Sequence, residues 1–348
     1  MKQKTNLLRL SCVLFFLFAL GAQASVPSLP ADMHGWLVQG VELVFREEFR
    51  NAEEEARKIL RAYPEHPAGY FLMAAVLEAR MLRFQNNRRE AEFFRYCDQA
   101  IEKAEAILAT NPRDQWARFF MGGAHGYKGT YEARYERYIT AFRFGWAGVS
   151  VFMAMSREGS TIPDINFGIG TYHYWRSALT RLLWWMPGVP DRRNEGIQML
   201  RGVLNNGIYT RTATSMVLID IYNNEKRHQE ALTLANEMAR RYPRALVFQW
   251  GRAKSLENLN RHDEAATVYG QILTRVEADP SNTFFNSVQA RMGLARNLAA
   301  LGRNAEALEH IAAMDNYTLS RDTRRRLDSV FSEANTLRRR LGRRGGGD

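Results

Sequence analysis

The side chains best able to do chemistry are thinly spread through the 348 residues. Seven histidines occur: His34, His66, His125, His173, His228, His262 and His310. None stands in an HExxH pair or at another spacing that would bring two imidazoles to one metal ion. His228 and His262 lie 34 residues apart, each in a polar break between two apolar-periodic stretches. A shared place in a repeat explains that better than coordination. His173 lies among aromatics in Tyr172-His173-Tyr174-Trp175 and reads as a packing residue. Gly122-Gly123-Ala124-His125-Gly126-Tyr127-Lys128-Gly129 is glycine-rich, but it lacks the GxxxxGK[ST] order and no strand precedes it. No GxSxG and no Cys/His arrangement is found. Acid runs such as Glu53-Glu54-Glu55 suit a solvated helix face. These residues suggest no catalytic site, no metal site and no cofactor.

The elements that carry these residues are helical. Residues 212–245 contain two amphipathic helices, a polar break at residues 223–228 and a stop at Pro243, which cannot continue a helix. The next 34 residues repeat them: Tyr222, Ala231, Ala235 and Met238 recur as Leu256, Ala265, Tyr269 and Ile272. A fixed period built from a helix pair is the signature of a solenoid, because one hairpin cannot bury its apolar face alone. Small residues at Ala231 and Ala265 allow close helix approach, and the larger residues fill the space between turns. Residues 33–66 carry the same pattern in Trp36, Gly40, Leu43, Ala52, Ala56, Ile59 and Pro64.

These positions resemble the tetratricopeptide repeat. The usual first-helix tryptophan and glycine are replaced by Ser215 and Ile219 in residues 212–245. The resemblance implies an all-α, right-handed superhelix of helix hairpins whose first helices line a concave surface that binds a protein or peptide. Carried over by position, that surface consists of Met216, Asp220, Asn223 and Asn224, then Trp250, Lys254 and Asn258, then Met292 and Arg296. The family's clamp for a peptide carboxylate needs more Lys and Asn than Lys254 and Arg296 supply, so that activity is not carried over.

The repeat is interrupted twice. Pro64 and Pro112 are 48 apart, which places extra helix or a loop near residues 80–89; Ala265 and Ala307 are 42 apart, with the lengthening placed at residues 279–282. Residues 115–211 diverge most. Gly122, Gly123, Gly126 and Gly129 mark either close helix contact or a break, since glycine costs up to ~1 kcal/mol inside a helix. The aromatics Phe119, Phe120, Tyr131, Tyr138, Phe142 and Trp146 suggest two or three longer, tighter hairpins. Thr161-Ile162-Pro163-Asp164 reads as a helix start. Trp184, Trp185 and Met186, beside Pro187-Gly188-Val189-Pro190, are expected to form an exposed apolar edge.

Residues 1–24 read as a cleavable secretory signal: Lys2, Lys4 and Arg9, an apolar run at residues 13–20, then Ala22-Gln23-Ala24. Cys12 precedes the apolar run instead of following it, which excludes a lipidation box. Cleavage leaves Cys97 alone, so no internal disulfide is expected, and its helical spacing with Phe93, Ala100 and Ile101 makes it a packing residue. The remainder, residues 25–321, is the solenoid; residues 322–348 form a capping helix, with the stripe Leu327, Val330, Phe331, Ala334, Leu337 and Leu341, and a basic glycine-rich tail. Net charge is +11, and residues 321–348 hold nine arginines against four acids. Export argues against nucleic acid as the partner and favours an anionic envelope surface. Together these features predict an exported, periplasmic, non-catalytic scaffold of the cell envelope, with a ligand-binding or enzymatic pocket in the aromatic middle as the rival reading.

Overall fold

The computed structural model describes residues 28–180 and 190–344. Sixteen helices and no strands occur among them. The first hairpin is α1 (Ala31–Phe45) with α2 (Phe49–Ala62), the second α3 (Pro67–Phe84) with α4 (Glu90–Thr110). Two central hairpins follow: α5 (Gln115–Arg134) with α6 (Tyr138–Arg157), and α7 (Ile165–Thr180) with α8 (Arg193–Asn206). Next come α9 (Arg211–Asn224) with α10 (His228–Arg241), α11 (Leu246–Asn258) with α12 (His262–Glu277), and α13 (Phe285–Ala300) with α14 (Asn304–Met314). The short α15 (Arg321–Arg326) and α16 (Asp328–Arg344) end the chain.

The last three hairpins each turn on a left-handed residue: Lys226 (φ 59°), Asn260 (φ 58°) and Gly302 (φ 76°). An arginine follows each one and pairs with a glutamate three residues on: Arg227–Glu230, Arg261–Glu264 and Arg303–Glu306, all at 2.6 Å. The second helix thus starts on a local ion pair placed at its positive end. Between hairpins, Tyr63 and Tyr242 close the last helical turn, and Pro64 and Pro243 then end it.

The repeat residues are the core. Ala52, Ala56, Ile59, Ala231, Ala235, Ala265, Tyr269 and Ile272 are all buried, as is Cys97. Burial pushes the Cys97 thiol far up, which suits packing and not reactivity. The 14 extra residues of the second unit do not form an excursion; they lengthen α3 to 18 and α4 to 21 residues. In the middle, the glycines mark close contact and not a break. A Cβ on Gly148 of α6 would lie 2.5 Å from the Gly122 carbonyl oxygen of α5. Gly170 of α7 and Gly196 of α8 abut in the same way.

The helix start read at residues 161–164 is where α7 begins, at Ile165. Asp164 does more than mark it: it is buried and accepts from the backbone N–H groups of Tyr209 (2.9 Å) and Thr210 (2.7 Å) and from the Thr210 hydroxyl (2.7 Å). It therefore fixes the entry to α9 from 45 residues upstream.

The stack also bends round until its later hairpins rest on its first ones. The Tyr242 hydroxyl donates to Glu42 at 2.7 Å, and the Leu246 N–H donates to Glu47 at 2.9 Å. Glu47 pairs with Arg83 at 2.9 Å and with Arg275 at 3.3 Å; Arg83 also reaches Asp279 at 3.4 Å. Thr283 donates to the Phe84 carbonyl, and Arg326 to the Gln85 carbonyl. Phe45 packs on Tyr242 and Phe248. This seam joins residues about 200 positions apart in sequence.

Candidate functional site

The positions expected on the concave surface differ in what the fold leaves free. Asn223 is committed: it donates to Ser255 (2.9 Å) and to the Ile219 carbonyl (3.1 Å), and it accepts from Asn258 (3.1 Å). Its oxygen also meets His228 at 3.2 Å, and His262 meets Asn297 at 2.8 Å in the next unit. The two repeat-related histidines thus hold the hairpin turns to asparagines of the first helices. Asn224 donates to the Tyr174 hydroxyl, which itself donates to Glu225 at 2.9 Å. Asn223, Asn224 and Asn258 are therefore struts between hairpins.

Met292 requires a correction. It is fully buried, within the core shared by α12, α13 and α16. Its face of α13 is covered, because Arg296, one turn on, pairs with Glu333 of the capping helix at 3.3 Å and with Glu257 at 2.7 Å. Glu257 also accepts from the Tyr269 hydroxyl at 2.8 Å. Arg296 is thus part of a charge network that fastens the cap. Met216 is half-buried and packs against the core that includes Phe248 and Tyr242. Trp184, Trp185 and Met186 lie outside the described residues.

Three positions stay available. Asp220 is exposed and Lys254 is exposed, at the same register of neighbouring first helices; Trp250 is half-buried, edge-on to Tyr269 at 5.9 Å. Lys254 meets Glu257 at 3.8 Å, an acid that already serves Arg296. Asp220 touches water, yet it is largely desolvated. This desolvation pushes its carboxyl up to about 6. An acid so placed gains most from a cation brought to it.

The middle shows a second peculiarity. Among the described residues, buried side-chain polar atoms without a partner include Gln115 Oε1, His125 Nδ1, Arg134 Nη1, Thr171 Oγ1 and His173 Nδ1, with Gln249 Oε1 outside that region. His173 is packed, as its neighbours imply, and burial lowers its proton affinity. Its Nε2 lies 3.9 Å from Glu195, too far for a hydrogen bond.

Helix α6 exposes large apolar side chains. Tyr138 is 67% exposed, Ile139 83%, Phe142 60% and Trp146 48%. The sequence shows these residues at helical spacing, but nothing in it indicates that the first half of α6 stays uncovered. The arginine-rich end is largely engaged. Arg326 lies over the Tyr135 and Phe285 rings, Arg325 pairs with Asp322, and Arg338 pairs with Asp315.

No family model matches the chain, and no curated protein matches its sequence. Among solved structures it is similar to a thermophilic tetratricopeptide protein of Thermus thermophilus, at 16% identity and a TM-score of 0.39, over 64% of this chain and 98% of that one. It is also similar to a tetratricopeptide repeat protein of Parabacteroides merdae, at 12% identity and a TM-score of 0.39, over 89% and 99% of the two chains. These likenesses concern helix arrangement only; the hairpin stack described above rests on this chain's own packing.

Proposed function

We propose that this chain is a non-catalytic scaffold, exported to the periplasm, which holds a protein or peptide partner on its concave side and serves the assembly or upkeep of the cell envelope. The observation that carries the reading is the set Asp220, Trp250 and Lys254. Among the predicted concave positions Asp220 and Lys254 are exposed and Trp250, packed on the α12 core, is half-exposed; they offer an acid, an indole and a cation on adjacent helices. A partner segment would bring a cation to Asp220, an apolar side chain to Trp250 and an acid to Lys254. Tryptophan anchors dominate many interfaces, so losing one costs about 2 kcal/mol, or about thirtyfold in affinity.

The test is Trp250→Ala with Lys254→Ala. Alanine is preferred to glutamate at 254, since a glutamate there would press on Glu257 and disturb its pair with Arg296. A partner captured from envelope extract and identified by mass spectrometry should bind the variant about thirtyfold more weakly. Equal affinity for the two proteins would refute the assignment. Export is checked by N-terminal sequencing, which should find Ser25; Met1 intact in the membrane fraction would contradict it.

A ligand in the aromatic middle is the second reading, favoured by the unpartnered polar atoms between Gln115 and His173. Native mass spectrometry of purified protein tests it directly: a stoichiometric small molecule supports it, and bare mass opposes it.

A further inference from the structure

The N-terminal half of α6 is unlike any other described helix surface in this protein. Tyr138, Ile139, Phe142 and Trp146 fall within about 100° of the helix circumference at 100° per residue. All four stay exposed, although Trp146 meets Tyr172 of α7 at 5.9 Å, and Trp175, 37% exposed, adds to the apolar surface. The other side of α6 is locked to α5 by backbone contact at Gly148 and Gly122, and its later residues Val149, Phe152 and Met155 are buried. By length and composition α6 could cross a membrane, but its packing on α5 keeps it on the surface of the stack. It presents a flat aromatic edge and not a spanning segment.

The charge around that edge is mainly positive, with Glu136 and Asp322 as its nearby acids. Within Tyr138–Arg157 there are Arg143 and Arg157 and no acid. Arg143 is exposed. The seam brings α15, RDTRRR, to the same end of the hairpin, where Arg326 lies 5.0 Å from the centre of the Tyr135 ring, three residues before Tyr138. Arg321 of α15 is exposed, and Arg324, also exposed, lies over the Phe331 ring at 3.6 Å. Against them stands an exposed acid at the turn, Glu136.

We propose that this edge seats the protein on an anionic bilayer surface, with Ile139, Phe142 and Trp146 among the lipid headgroups and Arg143 and α15 against their phosphates. Tryptophan and tyrosine favour the headgroup level, and an apolar arc bordered by arginines is the pattern of an interfacial helix. Basic residues supply the preference for anionic lipid. The seat shares no residue with the concave set, so the two are tested separately.

The experiment compares the full chain with Ile139→Ser/Phe142→Ser, both highly exposed positions, and leaves Trp146 in place because it touches Tyr172. Vesicles of phosphatidylcholine, with and without phosphatidylglycerol, are the probe. Hydrogen exchange is followed in the peptide covering the first half of α6, which makes the readout local and independent of residues 1–24. Anionic vesicles should protect that peptide, neutral vesicles should protect it far less, and the variant should lose at least about tenfold in vesicle partition while melting as the parent does. Equal partition of parent and variant overturns the proposal. So does vesicle binding without protection of α6, equal binding to neutral lipid, or protection that rises with protein concentration and needs no lipid, which would assign the edge to a second copy. Trp250→Ala/Lys254→Ala should leave vesicle binding unchanged, so failure of the concave reading is distinguishable from failure of this one.

Discussion

Glu47 is the most instructive residue to remove. It occupies the left-handed turn of the first hairpin (φ 60°) and is the common partner of Arg83, Arg275 and the Leu246 N–H. Its side chain is 15% exposed and that of Arg83 is 9% exposed, so water replaces little of what is lost. Breaking a buried pair by deleting one partner costs about 3–5 kcal/mol. The lower end applies to Glu47→Ala, because Arg83 retains Asp279 and Arg275 retains the Pro243 carbonyl at 3.1 Å. The expected loss is therefore about 3 kcal/mol. It should fall on the seam first. Hydrogen exchange should speed up at residues 242–248 before it does within α5 to α8, and small-angle scattering should show a larger radius of gyration under mild denaturant. A double-mutant cycle with Arg83→Ala should return a coupling of about 1 kcal/mol or more. If Glu47→Ala loses under about 1 kcal/mol with exchange unchanged at residues 242–248, the seam contributes little and the stack is held by neighbouring hairpins alone.

Two further predictions concern the centre and the expected concave positions. Gly148→Ala places a methyl 2.5 Å from the Gly122 carbonyl oxygen, which is backbone and cannot swing aside; thermal denaturation should show a loss of about 2–3 kcal/mol, whereas Gly202→Ala, with open space around it, should lose nothing. Asp220 has a folded-state pKa raised above its usual value, so its contribution to stability is present at low pH and is lost as pH rises from about 4 through about 6. Discounted for the water that reaches it, the effect is about 1 kcal/mol. Asp220→Asn should be the more stable protein at about pH 7.5 and lose that advantage at about pH 4, as read by urea midpoints. A cationic partner should bind the parent more tightly as pH rises through that window.

The hairpins were legible because their determinants are local and periodic. Pro64, Pro243, Ala231 and Ala265 act within one unit, and 34-residue spacing makes them recur. Lengthened helices were harder to place: the count of extra residues before Pro112 is certain from spacing, but helix and loop are alternatives until the left-handed Gln85 shows how short the turn is. The concave set was only partly legible. Register picks out Asp220, Trp250 and Lys254, but the same register also picks out Met292, whose exposure is cancelled by a helix about 40 residues later. The partners of Asn223 and Asn224 lie 32 and 50 residues away, with no pattern to announce them. Asp164 has the residue type and position of a helix start, and only the fold reveals that its donors belong to residues 208 to 210.

The seam also has a consequence in time. In an open row of hairpins each unit needs only its neighbours, so assembly can start anywhere and keep pace with the growing chain. Here Glu47 and Arg83 wait for Leu246, Arg275 and Asp279, and Gln85 waits for Arg326. During synthesis the first two hairpins must therefore persist with their seam surfaces bare until nearly the whole chain has emerged. Contacts across about 200 residues lengthen the search. The last step of folding should accordingly be a slow docking of hairpins already formed, and a chain cut short before α15 would leave the turn at Gln85 without its final partner.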